Sequence, residues 1–220
     1  MWWYNSIQIT EPAWGQRLLL ALNDWMTKHY LLVRLVPYTA DVFVFSYPLY
    51  LVALYIRGIN KHQEYYKHAA LYVFFSSALA AIINITIQYF GDKSRPELMV
   101  QNKDQLLLSH LPTDPFPSDH AAVSAAIAMA TTLWGIRHGD KTFLRLARFF
   151  WFACGAMSVS RIAVAVHRPT DIIVGIIVGI VSAWILLKES VWTRLKRNLL
   201  SPLIQFEKRL FKKIFWVTQQ

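Results

Sequence analysis

The sequence predicts an all-α fold: a polytopic membrane helix bundle of five or six spanning helices, with interfacial amphipathic helices at both ends. Of the 220 residues, 55% are hydrophobic and 16% are charged, whereas soluble domains average about 25% charged residues. Several apolar runs approach the ~20 residues that a helix needs to cross a bilayer core. At this length, one membrane domain is the expected organisation.

The N-terminal segment, residues 1–37, is too polar to span a bilayer. Within it, residues 14–30 interleave leucines and tryptophans with Arg17, Asp24 and Lys28. An apolar face beside a charged face is typical of a helix that lies among the lipid headgroups. We therefore expect an interfacial helix here.

Residues 38–187 contain the predicted helix bundle. Pro48 is expected to kink its first span, which neighbouring helices can tolerate. Ser118 and Asp119 favour the start of the third span, and Pro169 favours the start of the fifth. A long polar loop over residues 91–116 separates the second and third spans, and loops of this length are usually functional or disordered. The predicted spans are residues 38–56, 69–90, 120–136, 146–166 and 171–187.

The C-terminal segment, residues 188–220, is basic and amphipathic, and we expect it to lie on an anionic membrane surface. The net charge of the chain is +10. A nucleic-acid partner would need a soluble basic face, which the long apolar runs argue against. Lysines and arginines retained on the cytoplasmic side of a membrane explain the same excess.

Five spans place the polar loop and residues 160–171 on one membrane face. Under this topology 15 of the 23 lysines and arginines lie on the opposite face and its helix edges, and 8 lie on the first face. The positive-inside rule then makes the C-terminal segment cytoplasmic and both polar stretches extracytoplasmic. Cys154 is the sole cysteine and no cluster has metal-ligand spacing, so we expect neither a disulfide nor a metal or other cofactor.

The strongest functional signal lies between Ser160 and Asp171. This stretch places Arg161, His167 and Asp171 between two apolar runs. A charged group at the bilayer centre costs at least ~2.5–3.5 kcal/mol, so ionisable residues in such positions indicate function. Residues 93–96 and 117–120 are two further polar clusters of this kind.

Together, these clusters suggest a site that binds and cleaves a phosphate. Arg95 and Arg161 have guanidinium groups that fit phosphoryl oxygens, and Lys93 is a candidate for additional positive charge. The backbone N–H groups at the start of the helix after Pro117 are a second candidate anion site.

The histidines supply the remaining chemistry. Without a metal, a nucleophile must form a covalent intermediate, and His167 is the candidate. Asp171 follows four residues later, a spacing that could bring its carboxylate to the far ring nitrogen and fix the tautomer. His120 is the candidate for protonating the leaving group.

These residues resemble the three signature motifs of the type 2 phosphatidic acid phosphatase superfamily. The third motif matches completely in spacing. The second has Asp119 where many members have glycine, and Gln88 stands where the first motif typically has a lysine, seven residues before the arginine. The three motifs are Arg95-Pro96, Pro117-Ser118-Asp119-His120 and Ser160-Arg161-x5-His167-x3-Asp171.

The resemblance implies a metal-independent helical membrane phosphatase. In it, His167 would be the nucleophile, Asp171 would orient that histidine, and His120 would protonate the leaving group. The residues implied in substrate binding are Arg95, Arg161, Ser118, Asp119, Lys93 and Ser160.

The second motif, together with the leucine-rich loop before it, is most similar to bacterial undecaprenyl diphosphate phosphatases of the bacitracin-resistance type. This similarity implies a polyprenyl diphosphate substrate, carrier recycling in peptidoglycan synthesis, and the bacterial inner membrane.

Alternative activities with the same chemistry are hydrolysis of phosphatidylglycerol phosphate, phosphatidic acid or a lipid A phosphate, or phosphoryl transfer to another lipid. A non-catalytic lipid-binding or transport protein is an alternative of a different class, favoured by Gln88 alone. The apolar spans argue against a soluble haloperoxidase with similar motifs.

Overall fold

A computed structural model describes residues 7–60, 63–94, 96 and 116–217, except for the side chains of residues 7, 8, 92 and 211–217. Within these ranges the only strands are β1 (Ile7–Gln8) and β2 (Gly91–Asp92), which pair in parallel. The rest consists of helices and the turns between them, so the predicted all-α class is confirmed. The helices are α1 (Ala13–Thr27), α2 (Tyr30–Thr39), a 3-10 helix (Val42–Phe45), α3 (Ser46–Asn60), α4 (Glu64–Phe90), α5 (Asp119–His138), α6 (Lys141–Ala163), α7 (Pro169–Leu187), α8 (Glu189–Leu195), a π-helical turn (Lys196–Leu200) and α9 (Ser201–Val217).

Three helical segments of the described chain are long and apolar enough to cross a membrane: Tyr30–Asn60, Glu64–Phe90 and Pro169–Leu187. The other two predicted spans fold as α5 and α6, which are 20 and 23 residues long. α5 is rich in alanine and α6 carries several arginines, which lowers their apolar character. The chain is a membrane protein, and the number of five or six spans stays a prediction.

The first predicted span is interrupted earlier than expected. α2 ends at Thr39 and the 3-10 helix separates it from α3. Pro48 lies in the first turn of α3, where its missing N–H would have had no intrahelical partner. The change of helix type therefore lies between Thr39 and Ser46, before Pro48, and the kink expected at Pro48 stays a prediction.

α5 is the centre of the bundle and packs against α4, α6 and α7. Its small side chains allow α7 to approach its backbone closely. A Cβ added at Gly179 would lie 2.3 Å from Ala122 O, and one added at Gly175 would lie 2.7 Å from Ser118 O. This glycine-mediated contact is common between membrane helices, and here it joins the starts of α5 and α7.

The C-terminal helix α9 is attached to the bundle by a largely buried ion pair. Lys67 Nζ donates to Glu207 Oε2 at 2.6 Å and to Oε1 at 2.8 Å, and the Tyr55 hydroxyl donates to the same carboxylate at 3.1 Å. Lys67 lies in the first turn of α4. α9 therefore lies at the end of the bundle where α4 begins, away from the end where α5 and α7 begin.

Candidate active site

The predicted site residues meet at the end of the bundle where α5 and α7 begin. A tight turn after α6 brings the third motif there. Ala165 in this turn has a φ of 56°, a left-handed conformation that costs a non-glycine residue about 1–3 kcal/mol. The backbone N–H groups of Val166 and His167 both donate to Arg161 O. The turn thus folds His167 back toward the residue that precedes it by six positions.

His167 is paired with Asp171 across the start of α7. His167 Nδ1 lies 3.6 Å from Asp171 Oδ2, and both side chains are buried. The same carboxylate oxygen accepts the backbone N–H of Arg168 at 2.7 Å, which is how an acidic residue in the first helical turn satisfies an unpaired N–H. The carboxylate is therefore held in place from its own helix while it faces the histidine, as the four-residue spacing predicted.

Arg161 faces the other nitrogen of His167. Its Nη2 lies 3.4 Å from His167 Nε2, and the guanidinium is almost completely buried. On its other side, Nη1 donates to Asp41 Oδ1 at 2.6 Å and to Ala40 O at 3.4 Å. One edge of the guanidinium is thus held by Asp41 and Ala40, and the other is directed at His167 Nε2.

His120 is the second residue of α5 and keeps 23% of its side chain exposed. Its Nε2 lies 3.5 Å from Asp41 Oδ1, the oxygen that also binds Arg161. Just before α5, the backbone N–H of Ser118 donates to Asp171 O at 3.1 Å. The Ser118 hydroxyl is buried and has no hydrogen-bond partner among the described residues. Beside a helix N-terminus, such a hydroxyl is suited to bind an anion.

Lys93, expected at the phosphate, lies behind Asp171. Its ammonium group is completely buried and donates to Asp171 Oδ1 at 2.6 Å, to Thr170 Oγ1 at 2.6 Å and to Glu11 Oε2 at 2.9 Å. Thr170 also donates to Glu11. These contacts favour a role for Lys93 in fixing Asp171.

Gln88 supports the second motif. Its Nε2 donates to Pro117 O at 3.0 Å and to Asp119 Oδ1 at 3.1 Å. Asn84, one helical turn earlier, donates to the same two atoms at 2.9 and 2.6 Å. Asp119 therefore accepts hydrogen bonds from two amides of α4, and this pairing holds the start of α5 against the end of α4.

Ser160 and Arg95 are the two remaining residues that the sequence predicts for substrate binding. The Ser160 hydroxyl lies 2.6 Å from Thr39 Oγ1, so it joins the third motif to α2. Arg95 lies outside the described residues. Among the residues that the structure describes, no group of three or more histidine, cysteine, aspartate or glutamate side chains could hold a metal ion.

Asp41 and Glu11 reach the site from the N-terminal part of the chain, and the motif-based interpretation did not include them. Asp41 is the only acidic residue between Asp24 and Glu64. An isolated carboxylate within an apolar stretch indicates function by the same argument that singled out Arg161. Glu11 lies in an ordinary polar segment, which offers no comparable signal.

The sequence profile of the PAP2 superfamily matches residues 69–194. A curated Escherichia coli (strain K12) protein, named "Putative undecaprenyl-diphosphatase YbjG", is 24% identical over 150 residues, which is 68% of this chain and 69% of the relative. The crystal structure of Aquifex aeolicus LpxE is similar with a TM-score of 0.61 and 25% identity, covering 82% of this chain and 99% of that chain. The profile match includes His120, Arg161, His167 and Asp171.

Proposed function

The chain belongs to the PAP2 superfamily and is a lipid phosphatase of that family, and from this premise we propose that it hydrolyses undecaprenyl diphosphate to the monophosphate and inorganic phosphate through a phosphohistidine on His167. The observation that carries this proposal is the position of the His167 ring. Nδ1 faces the Asp171 carboxylate at 3.6 Å and Nε2 faces Arg161 at 3.4 Å. The ring is thus oriented for Nε2 to attack a phosphoryl group bound by Arg161.

In the first step, Nε2 of His167 forms a bond to the terminal phosphorus while the bond from phosphorus to the bridging oxygen breaks. His120 gives its proton to the departing lipid phosphate. The Asp171 carboxylate stabilises the positive charge that develops on the His167 ring. Arg161 and the buried Ser118 hydroxyl bind the phosphoryl oxygens, on which negative charge must be stabilised.

In the second step, a water oxygen attacks the phosphorus of the phosphohistidine. His120, now neutral, takes a proton from that water, and the bond between Nε2 and phosphorus breaks. Inorganic phosphate leaves and both histidines return to their starting protonation states. Transfer to another lipid would use the same intermediate, with a lipid hydroxyl or phosphate in place of water.

Two of the similar proteins bear on the choice of lipid. The name of the Escherichia coli relative favours undecaprenyl diphosphate, whereas the similarity to LpxE fits the lipid A phosphate alternative equally well. Phosphatidylglycerol phosphate and phosphatidic acid remain alternatives. Acyl and prenyl chains are both bound by apolar surfaces, so the polar residues of the site do not distinguish them.

We also propose that the site faces the outside of the bacterial inner membrane. The uneven distribution of lysines and arginines supports a cytoplasmic position for the C-terminal segment. α9 packs at the end of the bundle where α4 begins, and the site lies at the end where α5 and α7 begin. A reporter fused after Trp216 should therefore report the cytoplasm, and an external signal would reverse the proposed orientation.

The substrate proposal is tested by phosphate release from purified protein in detergent. Undecaprenyl diphosphate, phosphatidylglycerol phosphate, phosphatidic acid and a lipid A phosphate would be compared at equal surface concentration, with the His167→Ala variant as the blank. Preference for undecaprenyl diphosphate supports the proposal. Preference for another lipid keeps the mechanism and replaces the substrate, and equal release by the variant removes His167 as the nucleophile.

A further inference from the structure

A buried carboxylate from outside the family-matched segment reaches the centre of the site. The match to the PAP2 superfamily begins at residue 69, whereas this carboxylate belongs to Asp41, between α2 and the 3-10 helix. We propose that Asp41 is a positioning residue that holds Arg161 and His120 for phosphoryl transfer, an inference that rests on the proposed function of these two residues.

The contacts of Asp41 connect two functional groups through a single atom. Its Oδ1 lies 2.6 Å from Arg161 Nη1 and 3.5 Å from His120 Nε2. The residue is completely buried. Its second oxygen, Oδ2, is buried without a hydrogen-bond partner among the described residues. A buried carboxylate is costly unless it is paired, so this arrangement depends on the charge of Arg161.

The chain delivers Asp41 to this position through neighbouring contacts with α6. Thr39 lies 2.6 Å from Ser160, hydroxyl to hydroxyl, and Ala40 O accepts a hydrogen bond from Arg161 Nη1. Three consecutive residues, 39–41, therefore contact two consecutive residues, Ser160 and Arg161. This repeated contact fixes the N-terminal segment against the third motif and sets the place of the carboxylate.

For Arg161, the consequence is orientation. An arginine offers several N–H groups in a fixed plane. Asp41 and Ala40 O occupy Nη1, which leaves Nη2 directed toward His167 Nε2. A phosphoryl group that binds to Nη2 would then lie next to the attacking nitrogen. Misplacement of such a group by about 1 Å can cost 100-fold in rate.

For His120, the consequence is also position. Asp41 Oδ1 lies 3.5 Å from His120 Nε2 and holds the ring beside the Arg161 guanidinium, which is bound to the same oxygen. Asp41 thus links the group that binds the phosphate to the group that protonates the product.

A carboxylate at this point could act differently, by competing with the phosphate for Arg161. The two roles predict opposite results for inhibition by inorganic phosphate. If Asp41 positions Arg161, its loss weakens inhibition by phosphate. If Asp41 competes, its loss strengthens that inhibition. The experiment is designed around this difference.

The experiment compares the unmodified protein with the Asp41→Asn and Asp41→Glu variants, all purified in detergent and assayed on the preferred lipid. Asp24→Asn is the matched control, because Asp24 lies in the same N-terminal segment, is 62% exposed and pairs only with Lys28 in the described structure. We expect Asp41→Asn to lower kcat/KM by about 10- to 100-fold and to weaken inhibition by inorganic phosphate, while Asp24→Asn changes neither.

A second comparison introduces Asp41→Asn into the His120→Asn variant. If Asp41 acts through His120, the Asp41→Asn substitution should lower the rate by a smaller factor in the His120→Asn variant than in the unmodified protein. If Asp41 has a purely structural role, the substitution should lower the rate of both proteins by the same factor. If Asp41→Asn fails to fold, the Asp41→Glu variant tests the inference instead, because it keeps the charge but moves the carboxylate by one methylene. It should lower kcat/KM by at least about 10-fold.

The outcomes separate the inference from the function on which it rests. If the unmodified protein is active and its Asp41 variants match Asp24→Asn in kcat/KM and in inhibition by phosphate, the inference alone is overturned. Tighter inhibition by phosphate, or an undiminished loss in the His120→Asn background, would also overturn it. Absence of turnover by the unmodified protein on every lipid would instead overturn the proposed function, and the inference with it.

Discussion

Lys93 Nζ lies 2.6 Å from Asp171 Oδ1, and both side chains are completely buried. The other oxygen of Asp171 faces His167 Nδ1 at 3.6 Å and accepts the N–H of Arg168. The carboxylate is therefore fixed through both of its oxygens. Glu11 is a second carboxylate on the same ammonium, at 2.9 Å, so Lys93 links two buried carboxylates next to His167.

Replacing Lys93 with methionine should lower kcat more than it raises KM. The lysine holds Asp171, so its loss would disturb the orientation of His167 after substrate has bound. Removal of one partner from a buried ion pair also destabilises a protein by about 3–5 kcal/mol, so thermal unfolding should be measured alongside turnover. The control is Lys28→Met, which breaks an exposed pair with Asp24. An increase in KM with unchanged kcat would instead assign Lys93 to phosphate binding.

Replacing His167 with alanine should abolish formation of a covalent phosphoenzyme. With a substrate carrying a radiolabelled terminal phosphate, rapid quenching in base should trap an acid-labile label on the unmodified protein and none on His167→Ala. His120→Ala should still form some label, because it supplies the proton and not the bond. The exposed His29 provides the control, since its ring contacts only Trp25 in the described structure. Label retained in His167→Ala would place the nucleophile elsewhere.

The third motif shows how far a sequence can predict a site. The spacing of Arg161, His167 and Asp171 fixes their meeting through one turn and the start of one helix, so local geometry alone predicts most of their arrangement. Lys93 could be recognised as important but not placed, because its position depends on the pairing of β2 with β1. The contacts that the sequence does not predict are those between residues far apart in the chain.

Asp41 illustrates the other limit. It lies 120 residues from Arg161 in sequence, and its contact depends on a break between α2 and α3 that the apolar pattern does not reveal. The helix limits follow the same rule. α4 begins at Glu64, earlier than predicted, because its first turn is polar yet packs against α9 through Lys67. Apolar periodicity identifies the buried length of a helix and misses ends that are fixed by ion pairs.

Replacing Gly179 with alanine should destabilise the bundle. The new Cβ would lie 2.3 Å from Ala122 O and 2.7 Å from Ala126 N, so α5 and α7 would have to move apart. Overpacking of this kind costs typically about 1–3 kcal/mol, which should appear as a lower Tm in detergent and, because both helices begin at the site, as lower kcat.

Gly155→Ala is the matched control for that change. Gly155 is also helical, but a Cβ added there meets nothing within 4 Å. Alanine is a better helix former by about 1 kcal/mol, so the control should keep its Tm or raise it slightly. Equal Tm values for the two variants would show that α5 and α7 are less tightly packed than their backbones indicate.

Asp140 should make stability depend on pH at the turn between α5 and α6. Its Oδ1 accepts the N–H of Thr142 at 2.8 Å and Oδ2 accepts the Tyr65 hydroxyl at 3.1 Å. Partial burial raises the pKa of Asp140, but hydrogen bonds from Thr142, Tyr65 and Phe143 outweigh it and hold the pKa below its ordinary value. A carboxylate with a lowered pKa adds stability above the pKa of the unfolded chain, about 3.9, and this stability is lost as the pH falls through the folded value.

The Asp140→Asn variant separates the charge from the helix cap, because asparagine caps a helix as well as aspartate does. At pH 7 the variant should have a lower Tm than the unmodified protein, by an amount equivalent to less than about 1 kcal/mol since the site is partly exposed. The gap should persist down to about pH 4 and close only at lower pH, as the pH falls through the lowered pKa of folded Asp140. Asp140→Ala, which loses the cap itself, should cost about 1 kcal/mol at both ends of this range. A gap between Asp140→Asn and the unmodified protein that stays constant from pH 7 to about pH 2 would show that the charge of Asp140 adds nothing to stability.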